Sequence, residues 1–181
     1  MENVERAAAL GRYTMQCVGP DGVVKWSEGF DNVVTTVGKN LALDTFLAGS
    51  GYTVTGPYLG LISSVGWSAV AAGDTMASHS GWNEAGNGVN YPNWSTPASN
   101  ARGAVSWSAA SSGSKALSSN VSFTIATNGG TLKGAFLVFG TGAVATNAST
   151  AGTLLSAGAF SGGDKVVSVG DTLNCSWSLA L

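Results

Sequence analysis

The sequence predicts an all-β chain, an antiparallel β-sandwich of jelly-roll-like topology with one short helix and an N-terminal arm. Three observations lead there: short runs in which apolar and polar residues alternate, glycine-bearing turn signals between those runs, and only one segment of helical periodicity. The last run is the clearest. Leu173, Cys175, Trp177, Leu179 and Leu181 fall on one face and Thr172, Asn174, Ser176, Ser178 and Ala180 on the other, as in a strand with one buried side.

Residues 1–11 stand apart, with Glu2, Glu5 and Arg6 followed by Ala7, Ala8 and Ala9, and read as a short helix or arm ending at Gly11. Residues 12–181 then form a single domain. From Arg12 the period is two, placing Tyr13, Met15 and Cys17 together, and Gly19-Pro20-Asp21-Gly22 supplies a turn into a partner strand over Val23 to Ser27. Asn32 to Thr36 is a β-rich run leading into a helix from Val37 to Ala48, with Leu43, Phe46 and Leu47 on one face, Thr36 as N-cap and Gly49 as stop. Pro57 to Ile62 is a short strand. The stretch 63–100 is an excursion rich in Gly, Ser, Asn and Pro that nevertheless holds Trp67, Trp82, Tyr91 and Trp94. Disordered segments are depleted in aromatics, so this one is expected to be ordered, with those four residues packing on the sheet or on a neighbouring subunit. Further strands are expected over Arg102 to Trp107, Asn120 to Ala126, Thr131 to Phe139, Thr153 to Phe160 and Thr172 to Leu181.

Composition narrows the function. Of 181 residues, 44% are hydrophobic but only 10% are charged, against roughly 25% charged in an average soluble protein. Ser, Thr, Asn and 26 glycines supply the polarity instead, a surface suited to packing beside other proteins more than to life as a free monomer. A net charge of −2 with scattered basic residues argues against nucleic acid as a partner. No apolar run reaches the roughly 20 residues that span a bilayer, and glutamates stand where a secretory leader would be basic. The expectation is a product made in the cytoplasm with no membrane partner. Cys17 and Cys175 are therefore expected as buried thiols, with a bridge between the terminal strands the lesser alternative.

Reactive groups are few. His79 is the one histidine, and although Asp74, Ser78 and Ser80 lie near it in sequence, a catalytic triad is defined by spatial roles and not by adjacency. Two distant cysteines and one histidine do not make a zinc site, and Asp164 and Asp171 follow glycines in turns, where carboxylates usually bond to nearby amides instead of calcium. No phosphate-cradling glycine motif is present. The expectation is a protein without enzymatic activity, cofactor or metal. Stacking of sugars on Trp67, Trp82, Trp94 and Trp107 is a weaker alternative to their use as core or interface anchors.

Several segments resemble small proteins encoded among the structural genes of tailed phages: Asp31 to Leu41, Tyr58 to Ile62, Ala71 to Trp82 with its Asp-Thr-Met-Ala-Ser-His run, Gly130 to Leu137, and Gly152 to Leu173. The resemblance spans roughly residues 30–175 and omits the arm and first hairpin. It implies a virion component and carries over no catalytic residue. The leading expectation is a capsid decoration or cement protein that binds the major capsid protein lattice and copies of itself, by analogy as a trimer at three-fold positions. The alternatives are a tail- or fibre-associated component and a glycan- or receptor-binding module built on the excursion.

Overall fold

The structure, a computed structural model, describes residues 8–47 and 55–180. Its strands are β1 (Leu10–Val18), β2 (Val24–Val34), β3 (Tyr58–Ser63), β4 (Asn83–Glu84), β5 (Trp94–Thr96), β6 (Gly103–Ala104), β7 (Ser114–Ala116), β8 (Val121–Ile125), β9 (Gly130–Phe139), β10 (Thr153–Ala159), β11 (Lys165–Val167) and β12 (Thr172–Ala180), with one helix, α1 (Thr36–Phe46), between β2 and β3. The strands run antiparallel in the order β4-β3-β9-β10-β2-β1-β12-β8-β5, with β11 beside β9, β6 beside β3 and β7 beside β12. The chain thus forms the expected antiparallel sandwich.

One long strand joins its two layers. Residues Val24 to Asn32 of β2 pair with β1, whereas Val33 and Val34 pair with Ala157 and Ser156 of β10. The sheet therefore folds over at β2 into a front sheet (β2, β1, β12, β8, β5) and a back sheet (β10, β9, β3, β4). Tyr13, Met15, Cys17, Phe30, Phe123, Ile125, Leu173 and Trp177 of the front meet Leu59, Leu61, Ala135, Leu137 and Leu155 of the back in one buried core. Each large side chain so removed from water contributes about 1.5–3 kcal/mol.

The back sheet is covered a second time. Ile62, Phe136, Val138, Leu154 and Ala157 point away from the front sheet and pack with Met76, Trp82 and Ala143 in a separate cluster, joined by the half-buried Trp67 and Val70. Burial on both faces explains why β3, β9 and β10 read as near-continuous apolar runs while β1 and β12 alternate. The excursion supplies most of this cover and adds β5 to the front sheet, and just beyond it β6 joins the back sheet.

Several sequence-based expectations need correction. The first strand begins at Leu10, not residue 12, because Leu10 and Gly11 extend the ladder to Ala180 and Leu179; residues 1–7 of the expected arm lie outside the described residues. The partner strand runs on to Val34, through Gly29, where Thr14 sits opposite. The region Arg102 to Trp107 contributes only β6 and an isolated bridge from Trp107 to Leu117.

The helix also differs. Thr35 is its N-cap, its hydroxyl accepting from the Gly38 amide at 3.0 Å and donating to the Leu154 carbonyl. Leu43 and Leu47, which share the apolar face read from the sequence, are 55% and 68% exposed; the buried positions among the described side chains are Gly38 and Leu41. The side chain of Phe46 and residues 48–54, including Gly49, lie outside the described residues. Contact at Gly38 sets the docking, since a Cβ there would stand 2.8 Å from the Leu155 Cα and 2.9 Å from its carbonyl carbon. Backbone cannot yield as a side chain can. Gly38→Ala is accordingly expected to lower stability by about 1–3 kcal/mol, read as a lower denaturant midpoint, while Asn40→Ala on the exposed side leaves the midpoint unchanged.

Candidate functional site

A polar cleft of about 380 Å³ opens at the outer side of the back sheet. Its walls come from distant stretches. One is the turn at Thr75 to Ser78, closed by paired backbone hydrogen bonds of 2.9 and 3.2 Å and leading into His79 and Ser80. A second is the tight loop after β4, in which the Gly86 amide donates to the Asn90 carbonyl at 2.6 Å and the Asn90 amide to the Asn87 carbonyl at 2.9 Å. Gly86 and Gly88 have φ of 83° and 57°, a backbone that L side chains adopt only with strain. The third wall is Ala148 to Thr150.

A buried ion pair ties these walls together. Arg102 Nε and Nη2 donate to Glu84 Oε1 and Oε2 at 2.9 and 2.8 Å, and neither side chain is more than 5% exposed. Glu84 Oε2 also accepts from the Ala148 amide at 2.9 Å, and Arg102 Nη2 donates to the Ser149 carbonyl at 2.8 Å. The bidentate fork thus locks β4, the strand entry at residue 102 and the 148–150 wall in one geometry. Both carboxylate oxygens of Glu84 are thereby engaged within the chain.

His79 stacks on Trp82, ring centroids 3.8 Å apart and 18° from parallel, and its Nδ1 donates to the Trp82 carbonyl at 3.0 Å. Asp74 does not reach His79: its Oδ2 accepts from Trp82 Nε1 at 3.0 Å and from the Ala71 amide at 2.9 Å. The neighbouring Ser, His and Asp of the sequence therefore do not assemble a nucleophile, base and orienter.

The four candidate interface aromatics do not share a surface. Trp82 is 1% and Trp94 2% exposed. Trp82 lies in the outer cluster, and Trp94 sits in the inter-sheet core with its Nε1 donating to the Ala101 carbonyl at 2.8 Å. Trp67 is half-buried beneath the Lys133 ammonium, 5.5 Å from the ring centroid. Tyr91 alone is exposed, at 40%. Trp107 packs edge-on against Trp177. These tryptophans anchor the chain to itself, so they offer no row of stacking platforms to a sugar.

Several other ionisable groups are likewise engaged. Burial disfavours the charged form of Glu28, yet the Lys165 ammonium at 2.7 Å and hydrogen bonds from the Gly162 amide and Ser161 hydroxyl outweigh it and bring the carboxyl down to about 2. Asp171 is fully buried. Burial again opposes its charge, and Lys25, 2.7 Å from Oδ1, with the Ser168 amide, holds the carboxyl below its usual range. The Cys17 thiol is pushed up to about 12 by burial and by that carboxylate, which leaves it protonated and unreactive. Cys175 is a free buried thiol too. Asp164 pairs with Lys133 at 2.8 Å.

Sequence reasoning named Ser78 and Ser80 beside His79 but did not gather them with Asn87, Asn90 and Thr150 into a cleft, and it missed the ion pair beneath. One signal could have found the pair: Glu84 and Arg102 are the only charged residues between Asp74 and Lys115. Removing one partner strands a buried charge. Arg102→Leu is expected to cost about 3–5 kcal/mol, and Arg102→Leu with Glu84→Leu less than the single change, as measured by chemical denaturation. Comparison of the chain with known protein families, with curated proteins and with solved structures found no match.

Proposed function

We propose that this chain is a structural protein of a tailed-phage particle, a capsid decoration protein that seats on the major capsid protein lattice and acts through contact, without catalysis. The observation that carries the reading is the outer face of the front sheet. Ser27, Gln16, Asn174 and Ser122 stand side by side across β2, β1, β12 and β8. The next row is Gly29, Thr14 and Ser176. Beyond it, Arg12 and Asp31 neutralise each other at 2.8 Å.

Such a face is polar, and its one charge pair is mutually neutralised. Hydroxyls and carboxamides lose less on leaving water than ions do, and they pair with donors and acceptors alike. Depletion of charge is also the compositional mark of interface centres. The resemblance of residues 30–175 to phage structural proteins supports the particle as the setting, and a lattice of identical subunits supplies the repeated partner.

The test is occupancy on particles prepared without the protein and then incubated with the purified chain. Thr14→Lys with Ser27→Lys puts two charges on exposed positions of that face, and is expected to lower occupancy by at least about tenfold without changing the thermal midpoint. Undiminished occupancy by the double variant overturns the reading.

A further inference from the structure

The cleft at His79 has chemistry of its own, separate from the front-sheet face. Its lining contains no lysine or arginine, and its one carboxylate, Glu84, is bound to Arg102. Among the described residues, the side chains of Ser78, Ser80, Asn87, Asn90 and Thr150 have no hydrogen-bond partner within the chain, although all line the cleft. A charged ligand would find no counter-ion there, and a greasy one would strip these groups of water without replacing their hydrogen bonds.

We infer that the cleft binds a neutral saccharide, with the His79 ring as its stacking platform and the Asn87 and Asn90 carboxamides as partners for its hydroxyls. Each carboxamide offers both donors and an acceptor, matching hydroxyls that also do both. The imidazole is held flat by Trp82 on one side and by the Nδ1 hydrogen bond to the Trp82 carbonyl. With Nδ1 committed to the Trp82 carbonyl, Nε2 is the ring nitrogen left free for a ligand. A fixed aromatic plate suits the C–H face of a sugar ring.

Pre-organisation strengthens the case. The Glu84–Arg102 pair fixes the walls from below, and Gly86 and Gly88 shape the turn that carries both asparagines. Little ordering is left for the ligand to impose. The volume, about 380 Å³, falls within the roughly 300–1,000 Å³ of small-ligand pockets, but those are mainly apolar, and the polar lining here selects a polar occupant.

The experiment uses the full chain and neutral trisaccharides of glucose, galactose and N-acetylglucosamine, with sialylated and sulfated trisaccharides as charged counterparts, followed by backbone amide NMR shifts. At least one neutral probe is expected to saturate, with shifts concentrated at residues 76–90 and 148–150. Asn87→Ala with Asn90→Ala should weaken that probe by at least about tenfold, as should His79→Ala; should His79→Ala disturb shifts outside the cleft, the asparagine pair decides. Lys115→Ala, at an exposed position of β7 outside the cleft, should leave affinity unchanged. The inference is overturned if no neutral probe shifts the cleft at about 50 mM, if only charged saccharides bind there, or if the asparagine variant binds as tightly as the parent.

Discussion

The back sheet carries apolar side chains on both of its faces, and the rest of the architecture answers that demand. Leu132, Ala135 and Leu137 of β9 enter the inter-sheet core while Phe136 and Val138 point the other way. Leaving the second set in water would forfeit about 1.5–3 kcal/mol for each large side chain. A covering layer is therefore obligatory, and a chain with one helix among its described residues must make it from loops. Trp82 and Met76 plug the outer face, Asp74 satisfies the buried indole N–H, and the Glu84–Arg102 pair staples the layer down.

That solution decides what the surface can do. The aromatic residues of the excursion lie mostly inside, and the charges that exist are largely paired, from Lys25 with Asp171 to Lys165 with Glu28. Between scattered exposed aliphatic side chains such as Leu10, Val89 and Val166, the outward faces of the front sheet and the cleft present hydroxyls and carboxamides. In the proposed reading, recognition by such a surface rests on many modest hydrogen bonds over area, each contributing about 0.5–1.5 kcal/mol. The front-sheet face and the cleft at His79 are two geometries of that one chemistry, the first broad, the second concave and small.

The layered β architecture was legible because water imposes period two wherever a strand has one wet face. Tyr13, Met15 and Cys17, and later Leu173, Cys175 and Trp177, gave that pattern directly. Runs such as Leu132 to Phe139 announced strands by length and composition, though not that their outer face would need a cover. The helix was legible in existence but not in orientation: Leu43 and Leu47 set the apparent stripe, while docking is decided by the missing side chain of Gly38, which periodicity does not register. Strands of two or three residues, such as β4 and β11, are too short to show any period. The cleft was illegible for a further reason: its walls lie as far apart as Ser78 and Thr150 in sequence, and Ser and Asn have no pattern until a fold collects them.

The claim on which the functional account stands is that this polypeptide works by being repeated on a larger assembly. Imaging of intact particles, with the protein marked by a fused density tag, tests that most directly. The account predicts regularly spaced copies across the shell, each turning its front sheet toward the capsid lattice. Copies confined to the tail, or a chain that stays monomeric and never copurifies with particles, would contradict it.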